Sequence, residues 1–112
     1  MLVACWSVKG GSGTTVVAAA LGLLLARAAP AGAVLVDLGG DVPAALGVRE
    51  PVGPGVAEWL EAGPTVGADA LGRLEVEVAP GLRLVPRGTG PLAEAGAPRL
   101  AAALVGERHV VV

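Results

Sequence analysis

The chain has no phenylalanine and no tyrosine, and its only aromatic residues are Trp6 and Trp59. Hydrophobic residues nevertheless make up 54% of its 112 residues. The core must therefore be packed from the small aliphatic side chains of alanine, valine and leucine. This length suits one domain with a real core but is short for an enzyme of two lobes.

Cysteine and histidine are nearly absent. Cys5 is the only cysteine and His109 the only histidine, which excludes a disulfide within the chain and a metal site built from several thiolates or imidazoles. We interpret His109 as a surface or core residue. The lack of disulfides fits a reducing compartment, and we predict a cytoplasmic protein.

Runs of charge of one sign are also missing. The eight basic and ten acidic residues are scattered singly and leave a net charge of −2. No cluster of lysine or arginine could follow a phosphate backbone. The sequence therefore gives no case for nucleic-acid binding.

The chain lacks an apolar segment long enough to cross a bilayer. Residues 16–26 are apolar without a break, but a spanning helix needs ~20 such residues. An export signal is an alternative, because residues 26–28 (ARA) could serve as a cleavage site. Against it, Lys9 follows a strand-like segment, whereas a signal peptide places its positive charge before an uninterrupted apolar region.

What is present is an alternation of strand-like and helix-like segments. Continuous apolar runs predict buried strands at residues 2–8 and 33–38. Residues 14–29 lie between them, are apolar nearly all round and end before Pro30, which predicts a helix buried between layers. We expect further short helices at 42–46, 56–61, 66–74 and 91–105, and further strands at 74–78, 82–85 and from 109 onward.

The first strand, helix and strand form a unit that closes with parallel strands and a right-handed crossover. Ligands of such sheets bind beyond the carboxyl ends of the strands. Lys9 and Asp37 lie at the carboxyl ends of the first two strands. The candidate site is therefore expected where these two residues lie.

Residues 8–15 (VKGGSGTT) form a glycine-rich loop between the first strand and the helix. Gly10, Gly11 and Gly13 let the backbone curl so that several N–H groups face one phosphate, and the helix N-terminus adds positive potential. Thr15 stands where a hydroxyl can ligate Mg²⁺, and Lys9 adds charge. An accidental turn in a glycine-rich chain is the alternative.

This loop resembles the deviant Walker A motif of the ParA and MinD superfamily, whose pattern is lysine-glycine-glycine-x-glycine-lysine-serine/threonine. Thr14 in place of the second lysine is similar to the CpaE and TadZ branch, which localises Flp (Tad) pilus assembly. Residues 34–48 (VLVDLGGDVPAALGV) resemble the family's second strand and acidic switch, and the segments GVAEWLEAG and GLRLVPRG resemble later family segments.

The resemblance implies a P-loop NTPase-like (SIMIBI) fold, a parallel sheet with helices on both faces, of which residues 1–112 are the N-terminal part of a truncated domain. It implies a module that binds ATP and Mg²⁺, acts as a spatial regulator or localisation factor, forms a nucleotide-dependent homodimer and recruits proteins of a positioning or secretion machine. The residues implied for the phosphates are Gly10, Gly11, Ser12, Gly13, Thr14 and Thr15. Thr15 and Asp37, the latter through water, are implied for Mg²⁺, and Lys9 for charge stabilisation across the dimer.

Two departures from the family pattern weaken the expected chemistry. Thr14 removes a charge-assisted contact worth ~1.5–3 kcal/mol, which is roughly a tenfold to hundredfold loss of phosphate affinity. Gly39 stands where the family usually has a second aspartate tied to hydrolysis. We therefore expect weak or no hydrolysis, and whether the chain is an enzyme stays open. A scaffold for protein interactions that ignores nucleotide is the alternative.

Two carboxylates near the second strand have competing interpretations. Asp41 could replace the missing acid, but we favour it as the cap of the helix that begins near Val42. Asp37 could be a solvated carboxylate at the end of a strand, but we favour a contact to Mg²⁺ at the phosphate site.

Overall fold

A computed structural model describes residues 2–5, 13–105 and 109–111 of the chain. In these residues it shows a mixed α/β fold with a five-stranded sheet. The strands are β1 (Leu2–Val3), β2 (Ala33–Val36), β3 (Val76–Ala79), β4 (Leu82–Val85) and β5 (His109–Val111). The α-helices are α1 (Thr14–Ala28), α2 (Val42–Leu46), α3 (Val56–Ala62), α4 (Ala68–Gly72) and α5 (Ala97–Leu104), with a 3₁₀ turn at Glu94–Gly96.

The predicted elements are present, and most bounds agree within two residues. Helix α2 and strand β4 have the predicted bounds. Helix α4 is shorter than predicted, because Gly67 is in an extended conformation at its start and the helix ends at Gly72. Helix α5 begins later than predicted, with Pro98 in its first turn, the position that tolerates proline.

The strands are ordered β1-β5-β2-β4-β3 across the sheet. The pairs β1·β5, β5·β2 and β2·β4 are parallel, as predicted for the centre of the sheet. The prediction of a wholly parallel sheet is wrong for β3, which is antiparallel to β4. Only Pro80 and Gly81 connect these two strands, and so short a connection allows a hairpin but no parallel crossover.

Strand β2 divides the core into two clusters, because successive side chains of a strand point to opposite faces. Val34 and Val36 belong to a cluster with α3, α4 and α5, whereas Ala33 and Leu35 belong to a cluster with α1 and α2. The first cluster also contains the large side chains Val56, Trp59, Leu60, Leu71, Val85, Leu100 and Leu104. The second also contains Ala18, Ala26, Val42, Leu82, Leu84 and Val111.

Helix α1 packs on the sheet through small residues, and Gly22 lies directly against Leu35. Its opposite side is apolar as well but is left uncovered by the described residues. Val16, Val17 and Leu24 are 63%, 60% and 63% exposed. The prediction that this helix is buried between layers is therefore wrong, since only one side of it meets the sheet in the part of the chain that the structure describes.

Strand β1 was predicted as a buried strand over residues 2–8, of which residues 6–8 lie outside the described part. It pairs in parallel with β5, as predicted, but Leu2 is 40% exposed because β1 is an end strand of the described sheet. No helix within residues 2–5, 13–105 and 109–111 is long and apolar enough to cross a membrane.

Candidate functional site

Asp37 follows β2 directly and is held in place by backbone groups. Its own N–H donates to the carbonyl of Val85 in β4 (3.0 Å). Its Oδ1 accepts the N–H groups of Gly39 (3.1 Å) and Gly40 (2.7 Å), and its Oδ2 accepts that of Val42 at 3.4 Å. Because the residue is only 3% exposed, the alternative of a solvated carboxylate is wrong.

The pKa of Asp37 is raised above its ordinary value. Burial is the largest cause, since removal from water disfavours the charged form, and the charge of Asp41 adds to it. The N–H groups of Gly40, Val42 and Gly39 oppose the rise without cancelling it. Burial therefore disfavours the charged form of Asp37 more than the three N–H groups favour it.

The capping role predicted for Asp41 is wrong. Asp41 does occupy the position before α2, but its side chain makes no capping hydrogen bond. The oxygen that accepts the first N–H of α2, at Val42, belongs to Asp37. An aspartate with two glycines at the second and third positions after it was the signal for this turn, since both Gly39 and Gly40 donate to it.

The N-terminus of α1 lies near the same carboxylate. Gly13 precedes this helix with φ +82°, a left-handed conformation that suits glycine. Thr14 and Thr15, which begin the helix, line a cavity of about 180 Å³ together with Cys5, Asp37 and Gly39. The fold thus brings together Thr14, Thr15 and Asp37, three of the predicted site residues, from the carboxyl side of β2 and the start of α1.

The other predicted site residues, Lys9, Gly10, Gly11 and Ser12, lie outside the residues that the structure describes. Their roles stay predictions. Within the described ranges, no group of three or more histidine, cysteine, aspartate or glutamate residues is arranged to hold a metal ion.

The donors present do fit Mg²⁺ bound together with phosphate. Mg²⁺ prefers oxygen ligands and is usually held by one or two carboxylates plus substrate phosphates and waters. The Thr15 hydroxyl and the Asp37 carboxylate are such oxygens in one cavity. At about 180 Å³ the cavity is smaller than the ~300–1,000 Å³ that encloses a drug-sized ligand, so it suits a phosphate group rather than a whole nucleotide.

A second arrangement at the same edge of the sheet was not predicted. The Oε1 atom of Glu58 accepts the N–H of Gly55 (2.7 Å), and its Oε2 accepts the N–H groups of Thr89 and Gly90 (both 3.2 Å). We call this the Glu58 clamp; it joins α3 to residues 86–90, the loop after β4. Three bonds to backbone N–H groups lower the pKa of Glu58, that from Gly55 contributing most. Glycine followed three residues later by glutamate was the available signal.

The backbone of α3 extends this junction. The N–H of Val56 donates to the carbonyl of Pro86 (2.8 Å), and that of Ala57 to the carbonyl of Arg87 (2.9 Å). Beside it lies a second cavity, of about 350 Å³, between the carboxyl ends of β2 and β4. Asp37 lines both cavities.

Trp59 packs within the fold. It is 4% exposed in the core, and its indole N–H donates to the carbonyl of Gly67 (3.1 Å). The guanidinium of Arg99 covers its ring at 4.0 Å from the centroid. The ring is therefore not free to receive a base.

Comparison with known proteins gives a structural likeness but no sequence match. No family model and no curated protein matches the chain. The structure of a ParA family ATPase from Chlorobium tepidum TLS superposes with a TM-score of 0.63 at 18% identity, over 98% of this chain and 50% of the ATPase. At this identity the likeness shows the fold, and the chain spans about half the length of that ATPase.

Proposed function

We propose that the chain is a ParA/MinD-like module that binds Mg²⁺-ATP and acts as a spatial regulator or localisation factor. One observation carries the proposal: Thr15, at the start of a 15-residue helix, and the buried Asp37 line one cavity at the carboxyl edge of the sheet. The fold shared with a ParA family ATPase supports it.

The residues of the chain divide the work of binding. The backbone of residues 10–15 would hold the phosphates at the N-terminus of α1, where N–H groups without helical partners face outward. The Thr15 hydroxyl would ligate Mg²⁺, and Asp37 would contact it through water. Bound Mg²⁺ would supply neutralisation of the phosphate charge. Lys9 would add charge across a homodimer.

The electrostatics of Asp37 favour this role over a purely structural one. Three N–H donors leave its pKa raised, because burial outweighs them. A cation nearby would favour the charged form and so recover what burial costs. Asp37 therefore gains from an occupied site.

Hydrolysis is expected to be slow or absent. Thr14 stands in place of a lysine, and Gly39 in place of the second acid. Among the described residues that line the smaller cavity, Asp37 is the only charged one. Nucleotide state would then control dimerisation and the recruitment of partner proteins, as in a CpaE-like localisation factor, rather than turnover.

Calorimetric titration of Mg²⁺-ATP into the chain tests the proposal. We expect saturable binding that Thr15→Ala weakens about tenfold, because a ligand of the metal is lost. Thr65→Ala is the control, since Thr65 is exposed in the turn before α4, and it should bind as the wild type does. Equal affinities for the two variants would contradict the assignment of Thr15.

A nucleotide-independent scaffold is the second candidate function. It is favoured by the fact that both oxygens of Asp37 already accept backbone N–H groups, so the residue has a structural role without any ligand. This candidate predicts that the amide resonances of Gly13, Thr14 and Thr15 do not move when Mg²⁺-ATP is added.

A further inference from the structure

The loop of residues 86–90 is fixed more firmly than a connection between β4 and α5 requires. The carbonyls of Pro86 and Arg87 accept N–H groups of α3, and the N–H groups of Thr89 and Gly90 donate to Glu58. Gly88 has φ +81°, and a Cβ atom there would collide with the Glu58 carboxylate. Two carbonyls and two N–H groups of the loop are thus used to fix its conformation.

Arg87 is the charged residue that this loop contributes to the lining of the larger cavity. Its Nη1 donates to the carbonyls of Gly90 (2.9 Å) and Gly88 (3.4 Å), which anchors one edge of the guanidinium to its own loop. Within the described residues the only ion pair is between Arg73 and Asp69, so Arg87 has no carboxylate partner there. Its other N–H donors form no hydrogen bond to the described part of the chain.

Three charged residues line the larger cavity, and among them Arg87 is the one with N–H donors left unused in the described part of the chain. Asp37 is acidic, but its oxygens are occupied by three N–H groups. Glu50 is acidic and exposed, so water screens it. Arg87 is the only cation that lines either cavity in the part of the chain that the structure describes.

Apolar side chains make up part of the remaining wall, beside Gly40, Gly53, Gly88 and Thr89. Pro43, Pro51 and Pro86 line it, and Val52 follows Pro51 in the same wall. The volume of about 350 Å³ falls within the range of pockets that enclose small organic ligands. An arginine fork recognises carboxylate and phosphate through paired N–H donors.

We propose that this cavity is a separate binding site for a small organic anion, whose phosphate or carboxylate group pairs with Arg87 and whose apolar body lies on the three prolines. The Glu58 clamp preorganises Arg87 for this contact, which lowers the cost of ordering the site when the ligand binds. The inference does not depend on nucleotide binding at Thr15.

The site is tested by titrating the ¹⁵N-labelled chain with phenyl phosphate, inorganic phosphate and benzoate, and by following the Arg87 Nε–H and the amides of Gly88 and Thr89. We expect saturable shifts, with phenyl phosphate about tenfold tighter than inorganic phosphate because its ring buries apolar surface. Benzoate separates a carboxylate site from a phosphate site. Absence of saturable shifts with all three probes up to about 20 mM would overturn the proposal.

Variants separate recognition by charge from damage to the loop. Arg87→Gln should weaken phenyl phosphate at least tenfold, and Arg87→Lys should weaken it less because the charge is retained. Arg83→Gln, at an exposed arginine of β4, is the matched control and should have no effect. Glu50→Gln should tighten binding about twofold to threefold, since it removes a repelling charge, a gain that a merely structural defect cannot produce. Equal effects of Arg87→Gln and Arg83→Gln would contradict the inference.

Two further measurements keep the sites distinct. Thr15→Ala should leave phenyl phosphate binding unchanged, and saturating Mg²⁺-ATP should not displace the probe. Displacement would overturn the claim of a separate site. Binding of phenyl phosphate without binding of Mg²⁺-ATP would support this inference and contradict the proposed nucleotide function. Binding of Mg²⁺-ATP without binding of phenyl phosphate would contradict this inference and support the nucleotide function.

Discussion

Asp37 and Glu58 lie at the same edge of the sheet, and each carboxylate accepts three backbone N–H groups. Their pKa values are nevertheless shifted in opposite directions, upward for Asp37 and downward for Glu58. The donors favour the charged form in both cases. Burial is the largest influence on Asp37, whereas the hydrogen bond from Gly55 is the largest on Glu58.

The opposite pKa shifts of Asp37 and Glu58 help to distinguish a ligand site from a structural site when both carboxylates accept the same number of backbone N–H groups. Glu58 is satisfied by the protein, and a cation has little to add. The N–H groups around Asp37 favour its charged form, but burial disfavours that form more strongly. The cavity that Asp37 lines also contains two threonines at a helix N-terminus. A group that is bonded but still destabilised is the better candidate for a missing partner.

Gly88→Ala should have the largest effect and should break the Glu58 side of the comparison. The substitution places a side chain in a left-handed conformation and pushes against the Glu58 carboxylate. We expect the free energy of unfolding to fall by about 2–4 kcal/mol, measured by urea denaturation. Gly39→Ala is the control, since a Cβ atom there meets nothing within 4 Å; equal losses in both variants would contradict the clamp.

Asp37→Asn tests the other side of the comparison through binding and through pH. Mg²⁺-ATP affinity should fall about tenfold or more, because the ligand charge is lost. A raised folded-state pKa means that the contribution of Asp37 to stability is complete below its ordinary pKa and is lost as pH rises through the raised value. The unfolding free energy of the variant relative to wild type should therefore increase from pH 4 to pH 7. A constant difference would show that burial does not penalise this charge.

Glu58→Gln should show the opposite pH dependence with a smaller loss of stability than Gly88→Ala. A lowered folded-state pKa means that the stabilisation is present above the ordinary pKa and is lost as pH falls through the lowered value. The melting temperature should fall by roughly 3–6 °C at neutral pH, and the difference from wild type should shrink in acid. Glu61→Gln, on the exposed side of α3, should melt as the wild type does.

Asp41→Asn should have the smallest effect. The charge of Asp41 raises the pKa of Asp37 and its side chain makes no capping bond, so its removal should move the Asp37 pKa slightly downward and leave the melting temperature unchanged. Carboxyl ¹³C shifts recorded against pH measure the pKa. A loss of stability near 1 kcal/mol, typical of a lost cap, would restore the capping role.

Much of the fold could be predicted because its determinants are local. Pro43 lies in the first turn of α2 and Gly47 ends the helix, and the bounds of α2 and β4 are as predicted. The central strand β2 is a continuous apolar run and was recognised as such. The strand β3 was predicted, but its antiparallel direction was missed, because that direction depends on the two-residue connection at Pro80 and Gly81 rather than on the sequence of the strand.

The candidate site could be predicted in part for a similar reason. Thr15 was identified by its place at the start of a helix and Asp37 by its place at the end of a strand. Both line one cavity in the structure. Glu58 was missed because it bonds to residues about 30 positions away, and Arg87 because its cavity is lined by several separate segments of the chain. Nothing in the local sequence states which loop will meet which helix.

The sequence by itself determined an α/β chain with an aliphatic core, a glycine-rich loop before an apolar helix, and a carboxylate at the end of the second strand. Tertiary structure alone decided that one side of α1 stays exposed, that Asp37 rather than Asp41 bonds the start of α2, and that Arg87 faces a cavity. The reason is that hydrophobic pattern and turn chemistry act over a few residues, whereas burial and charge compensation depend on what the whole chain brings together.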